Sequence, residues 1–458
     1  MQGSQTQSKL EELFQRKSTA GIILAMALPT VASQLISVIY SYADSMYVGS
    51  LNSPEQFAAI ALATPVILVL TAIANFWGVG GGSMMARALG RKDNPTANKA
   101  SAFSGYAALV TSAICSLVAY LAGDRFLRFL GASDTVLPYA RQYLFWMFIV
   151  GGVPTAVSMT LAHLLRSEGR ARHASTGLML GCILNVILDP FFIFDFGFGM
   201  GVEGAALATM LSNCVALLYL LAVVWRHRAV TCLSFRLQDV LVRWSLAREV
   251  MTVGLPSAVI MLCSAISNNV MNILVSAHGD QAIAALGIAK KLDFLPVHTA
   301  IGITQGALPL MAYSYTSGNH EKMRDILYTT LKMAFGVLLV IVMFLEIFAH
   351  PMSQMFIRDP ETVRYATSFI RVLCLSIPFY ALNTTIDAFF QAINYPKTAF
   401  GLSILRKGPL DIPLMFLLEA CFFFTNIIWA QPIMDVVTMV ISMAVVWFFF
   451  RKRELTRK

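Results

Sequence analysis

Asn185 to Phe194, NVILDPFFIF, places an amide and a carboxylate inside an otherwise apolar run. Asn185 and Asp189 are four apart, so on a helix they share one face. Pro190 follows at once and removes a backbone donor beside the carboxylate. A carboxylate deep in a bilayer costs ~2.5–3.5 kcal/mol on insertion scales, so it needs a partner, a proton, a cation or water. Asp44, in SYADSMYVG, ends another apolar run at a similar depth, and Thr209, in GAALATMLS, lies in a third. Two carboxylates, an amide and a hydroxyl make an oxygen-rich cluster that could hold Na⁺ or share a proton between its acids. The bland alternative is a polar knot that only joins helices. Two acids with no base weigh against it.

Such residues need a membrane scaffold, and the composition supplies one. The chain of 458 residues is 57% hydrophobic and 13% charged, against about 25% charged in soluble proteins. Apolar runs long enough to span recur twelve times, at roughly 20–48, 56–86, 98–122, 137–165, 172–195, 202–225, 247–277, 281–312, 327–350, 364–393, 397–421 and 425–450. The fold class is therefore an all-α polytopic membrane protein of twelve transmembrane helices. Residues 1–19 are polar, and no cleavable signal peptide is expected. The seven cysteines show no CxxC and no metal-ligand spacing, so they read as small apolar residues.

Lys and Arg are segregated. The N-terminus, alternate loops and the C-terminus hold 23 of them, and the opposite loops hold five: Arg125, Arg128, Arg141, Arg358 and Arg364. That bias predicts both termini in the cytoplasm, and it explains the +9 net charge without any nucleic-acid partner. The two halves also resemble each other. ALPTVASQ (27–34) matches GLPSAVIM (254–261), and AAIAL (58–62) matches AALGI (284–288). An even number of spans per half makes these parallel repeats about an axis normal to the membrane. The expected division is a segment 1–19, a first lobe 20–225, a connector 226–246, a second lobe 247–450 and a basic tail 451–458. Two such bundles suit alternating access by rocking around a central cavity.

The second half is polar in other places. Lys290, Lys291 and Asp293 lie in span 8, Asp387 and Arg371 in span 10, and Arg406, Lys407 and Asp411 in span 11. Neighbouring Lys–Asp and Arg–Asp pairs most often neutralise each other. The functional reading puts Asp387, Lys291, Arg406 and Asp411 at a substrate cavity. His163, near the end of span 4, reads as a solvated helix-end residue rather than a proton relay. Pro29 is a candidate hinge in the same span as Asp44, and Gly78 and Gly80 to Gly82 let span 2 pack closely or bend. There is no P-loop, dinucleotide fingerprint, HExxH or Ser-His-Asp arrangement, so no enzyme and no organic cofactor are expected. Energy for any transport has to come from an ion gradient.

ADSMYVG, GGGSMMARALGRKD, LLRSEGRARHA, NVILDPFFIF with GVEGAALAT, and SILRKGPLDIPLMFLL together resemble the multidrug and toxic compound extrusion (MATE) family. The likeness runs from about residue 20 to 450 and is similar to the bacterial branch that includes the DinF-like and MepA-like transporters. It implies a two-lobed antiporter of the bacterial inner membrane, acting as a monomer. Such an antiporter exports cationic or amphipathic drugs against inflowing H⁺ or Na⁺. It also implies a cation site made by an acid of the first helix, an Asn and an Asp of the fifth and a Thr of the sixth, which here are Asp44, Asn185, Asp189 and Thr209. Another branch has an acid on the seventh helix, where this chain has Asn268 and Asn269. The rival reading is a flippase for a lipid-linked or polysaccharide substrate, kept alive by Lys290, Lys291, Arg406 and Lys407.

Overall fold

The computed structural model describes residues 18–455 except 52, 130–131, 358, 408–409 and 422–423. Almost all of the expected N-terminal segment, the last three residues of the basic tail and Pro409 lie outside the described residues. Helix coincides with every one of the twelve expected spans. The first half is α1 (Thr19–Gly49), α2 (Pro54–Gly90), α3 (Asn94–Phe129), α4 in two segments (Leu137–Leu144 and Gly152–Ser167), α5 (Ala171–Ile193) and α6 (Val202–Arg226). The second half is α7 (Trp244–Ser276), α8 (Asp280–Thr316), α9 (His320–Phe356), α10 (Pro360–Ala392), α11 in two segments (Pro396–Lys407 and Asp411–Cys421) and α12 (Ala430–Leu455). No strand occurs among the described residues.

Polar side chains start several helices. Ser18 and Ser53 accept from the amides of Gly21 and Gln56, and Asp359 accepts from Thr362 N at 2.8 Å. The expected continuity fails in two spans. In α4 a π-helical turn, Phe145–Val150, joins segments bent by 44°. Span 11 is described in two segments, one ending at Lys407 and the next starting at Asp411, with Leu410 in a turn. By length and composition, nine described helices are apolar enough to cross a membrane, and bent α4 makes a tenth. Those that fall short are α8 and α11, the two that carry Lys290, Lys291, Asp293, Arg406, Lys407 and Asp411. α11 falls short because its two described segments are 12 and 11 residues long, and in both helices protein packing has to shelter the charge.

One end of the bundle collects the start of α1, the ends of α2, α4 and α6, and the matching ends in the second half. This is the basic face. There the halves are pressed together by glycine. A Cβ on Gly254 of α7 would lie 1.9 Å from Phe76 O of α2, and one on Gly306 of α8 would lie 2.6 Å from Ala27 Cα of α1. Only glycine permits those crossings. Arg87 of α2, 2% exposed, locks the same region. It pairs with Glu249 of α7 at 2.9 Å and donates to Gln391 O of α10 at 3.3 Å.

The connector is strapped to the first half rather than hanging free. Glu168, at the end of α4, accepts from Cys232 N at 2.8 Å and Thr231 Oγ1 at 2.7 Å. Ser101 of α3 donates to Cys232 O at 3.0 Å. A one-turn helix, Leu237–Val240, follows before α7.

Candidate functional site

The four residues expected to form an oxygen cluster converge away from the basic face. α1 packs along α5, and α5 along α6, which brings three non-adjacent runs of sequence together. Asn185 Nδ2 donates to Asp189 Oδ1 at 3.1 Å and to Thr209 Oγ1 at 3.0 Å. Thr209 Oγ1 in turn donates to Ala205 O, one turn back in α6, at 3.0 Å. Asp189 is 0% exposed, Asn185 2% and Thr209 6%. Asp44 is half-buried near the end of α1, close enough to Asp189 for their charges to repel.

Local sequence holds this geometry. Pro190 sits inside α5 without breaking it, and beyond Ile193 the chain folds back and covers the helix end. Phe198 N and Met200 N donate to Phe191 O and Phe192 O at 2.8 and 2.9 Å, satisfying carbonyls that a helix terminus otherwise leaves bare. Gly201, at φ 58°, turns the chain into α6, and Gln56 of α2 caps that start by accepting from Val202 N at 2.9 Å. Trp146, in the bend of α4, donates to Glu203 of α6 at 2.9 Å.

Two oxygens of the cluster are left with nothing to accept. Asn185 Oδ1 and Asp189 Oδ2 are buried and have no hydrogen-bond partner among the described residues. Among the described residues no Lys or Arg is near enough to act on the charge of Asp44 or Asp189. The cluster is therefore two acids and two oxygen ligands with no fixed cation. Two tyrosines complete its surroundings, and sequence reasoning did not find them. Tyr40 lies one turn from Asp44 and beside Thr209, while Tyr143 of α4, 5% exposed, lies within electrostatic reach of both acids.

The second-half candidates are differently placed. Asp387 and Arg406 are buried together, 3.8 Å apart, with the guanidinium 5.0 Å over the ring of Tyr380. Asp411, 0% exposed, accepts from Ser267 of α7 and lies 4.0 Å from Lys407. Lys291 is exposed, and its carbonyl accepts from Tyr42 of α1. Lys290 donates to Asn268. Neutralising contacts thus join Asp387 of α10 to Arg406 of α11 and Asp411 to Lys407 within α11, while α7 and α8 add neutral partners. Asp435 of α12 belongs to the same cluster and was missed. It is 1% exposed and lies within electrostatic reach of Lys407 and Arg406. Its signal was available: one carboxylate in the apolar run IMDVVTMV.

Two other expectations meet the structure here. His163 is 9% exposed rather than solvated, because Gly78 of α2 lets its ring lie flat: a Cβ there would be 2.7 Å from His163 Cδ2. Pro29 sits inside α1, which runs unbroken from Thr19 to Gly49.

Comparison with known proteins agrees with this architecture. The MatE family profile matches twice, over residues 29–191 and 256–417, once in each half. Multidrug export protein MepA of Staphylococcus haemolyticus (strain JCSC1435) is 28% identical over 438 residues, covering 95% of this chain and 94% of that protein. Multidrug export protein MepA of Staphylococcus aureus (strain MRSA252) is 29% identical over 440 residues, covering 95% of each chain. Among solved structures, a MATE crystallised with MaL6 superposes with a TM-score of 0.91 at 24% identity, covering 98% of this chain and 99% of the other. The outward-facing structure of a multidrug resistance MATE family transporter of the MOP superfamily gives 0.90 at 24% identity, with the same coverage. With its family profile matched in both halves and the same two-lobed helical fold, this chain belongs to the MatE family, the multidrug and toxic compound extrusion transporters.

Proposed function

We propose that the protein is a secondary active exporter of cationic and amphipathic compounds, driven by H⁺ or Na⁺ moving inward. The observation that carries this reading is the pair of acids in the first half with no fixed cation beside them. A buried carboxylate without a base has to be neutralised by something mobile. A proton on Asp189 or Asp44 removes their mutual repulsion. Na⁺ would be held by oxygens of Asp44, Asn185, Asp189 and Thr209, a donor set suited to a hard cation. Neutralised, α1 and α5 can draw together, and Pro29, which leaves a carbonyl of α1 unpaired, is where α1 would bend. That change reshapes the cavity between the lobes and expels the drug. The relatives named for multidrug export support the substrate class.

The basic face is the cytoplasmic face by the Lys and Arg bias, so both termini are cytoplasmic. The lobes divide at the connector, 226–246, and the protein acts as a monomer in a bacterial inner membrane. The flippase reading draws less support, because Arg406 and Lys407 sit in buried contacts with acids, leaving Lys291 as the exposed cation. The test is efflux of a fluorescent lipophilic cation from cells under H⁺ and Na⁺ gradients imposed separately. Efflux driven by one of them names the ion. Efflux under neither, with movement of an anionic lipid carrier, would favour the flippase.

A further inference from the structure

A cavity of ≈ 30 Å³ lies between the halves at the basic face, lined by His163, Arg166 and Ser83 of the first half and by Gln305 and Pro309 of the second. Arg166 is 3% exposed. Among the described residues its Nε has no hydrogen-bond partner and its guanidinium forms no ion pair with a carboxylate. Glu168, the acid nearest in sequence, is already engaged with Arg170 at 3.4 Å and with the connector, and Glu249 of α7 pairs with Arg87. A buried guanidinium without a counter-charge costs several kcal/mol unless something compensates it. Gln305 Oε1 also has no partner, so its amide is free to turn its N–H₂ into the cavity.

We infer that this cavity is a monatomic anion site, taking chloride under cellular conditions, that opposes Arg166 when the lobes are closed on this face. The volume admits one small ion or a water or two, and excludes phosphate or a carboxylate. Charge selects the ion over water, because water leaves the net positive charge of Arg166 uncompensated. The walls come from both halves, so the site exists only in the closed arrangement. When the lobes part on this face, Arg166 meets bulk water and the anion is lost. By linkage, anion binding then favours closure on the basic face. None of this depends on which cation drives export.

The direct experiment is crystallisation of the wild type in bromide, with the anomalous signal read at the cavity. A bromide peak beside Arg166 supports the site, and its absence overturns it. The solution experiment titrates sodium chloride against sodium gluconate at constant ionic strength, using purified protein in neutral-lipid nanodiscs. The melting temperature of the wild type should rise saturably by about 2–4 °C. Arg166→Gln should abolish the response while retaining the fold, since it deletes an uncompensated buried charge. Gln305→Leu, which keeps the charge, should shift the half-saturating chloride concentration upward by about tenfold through the lost N–H donor. No response in the wild type, or an equal one in Arg166→Gln, would overturn the assignment.

Discussion

Asp189→Asn separates transport from folding in this protein. The side chain is 0% exposed and receives one hydrogen bond, from Asn185 at 3.1 Å. Burying its charge costs ~2.5–3.5 kcal/mol on insertion scales. A hydrogen bond to a charged group returns ~1.5–3 kcal/mol. The two nearly cancel, so an isosteric neutral amide leaves stability within about 1 kcal/mol of wild type. Coupling is another matter. A pH difference of one unit is worth ~1.4 kcal/mol per proton, or a tenfold substrate ratio for each proton exchanged. If Asp189 carries the proton or ligates the sodium ion, the variant should lose that whole factor and only equilibrate its substrate. The assay is uptake of a lipophilic cation into proteoliposomes under imposed gradients, with thermal unfolding as the control for fold. A variant that melts like wild type and still concentrates substrate tenfold per pH unit would refute the coupling role of Asp189.

Other perturbations test the closure of the halves and the strap on the connector. Glu249→Gln leaves the buried Arg87 guanidinium without its carboxylate and should cost about 1–3 kcal/mol of thermal stability, below the ~3–5 kcal/mol of a fully buried broken pair because Glu249 is partly exposed. Gly254→Val drives a Cβ into Phe76 O, 1.9 Å away, and should hold α2 and α7 apart. In a background without native cysteines, a thiol placed at Ser83 should then label faster with an impermeant reagent. An unchanged rate would mean that the crossing tolerates the side chain. Glu168→Ala removes two of the connector's anchors, at 2.7 and 2.8 Å, leaving that of Ser101, and should accelerate protease cleavage near residues 227–236 by about tenfold, matching about 1.5 kcal/mol of local stability.

Asn185, Asp189 and Thr209 were legible in the sequence because each is a polar exception in an apolar helix, and the four-residue spacing of the first two fixes a shared face. Asp435 gave the same signal and passed unnoticed among longer polar clusters. Tyr40 and Tyr143 gave none. Tyrosine is ordinary in a membrane helix, and only the packing of α1 on α5 and of the first segment of α4 on α6 brings both rings near the acids. His163 was misread for a related reason. Its place near a helix end suggested solvent, yet the glycines of α2 bring that helix close enough to bury the ring. Sequence counts such as 78–82 show that close packing is allowed, but not which partner comes close. The two breaks follow the same division: a Gly-Pro pair in the sequence of span 11 warns of an interruption there, whereas FWMFIV, the run that forms the π turn of α4, carries no breaker.

The two halves descend through one pattern of helices but treat buried charge in opposite ways, and that contrast is the strongest reason to place coupling in the first. In the second half Asp293, Asp387, Asp411 and Asp435 share the interior with Lys290, Arg406 and Lys407, so most of the acid charge is met by cations fixed in the fold. A neutralised cluster gains little from taking up a further ion and loses little from releasing one. In the first half, Asp44 and Asp189 meet only an amide, hydroxyls and each other. Their charge can be balanced only by a cation that arrives and leaves, and a site whose occupant must come and go is what a gradient-driven cycle requires. Moving a base into that site, as in Thr209→Lys, should therefore stop transport by supplying permanently what the cycle needs transiently. A Thr209→Lys protein that folds and still exports under the driving gradient would break this argument.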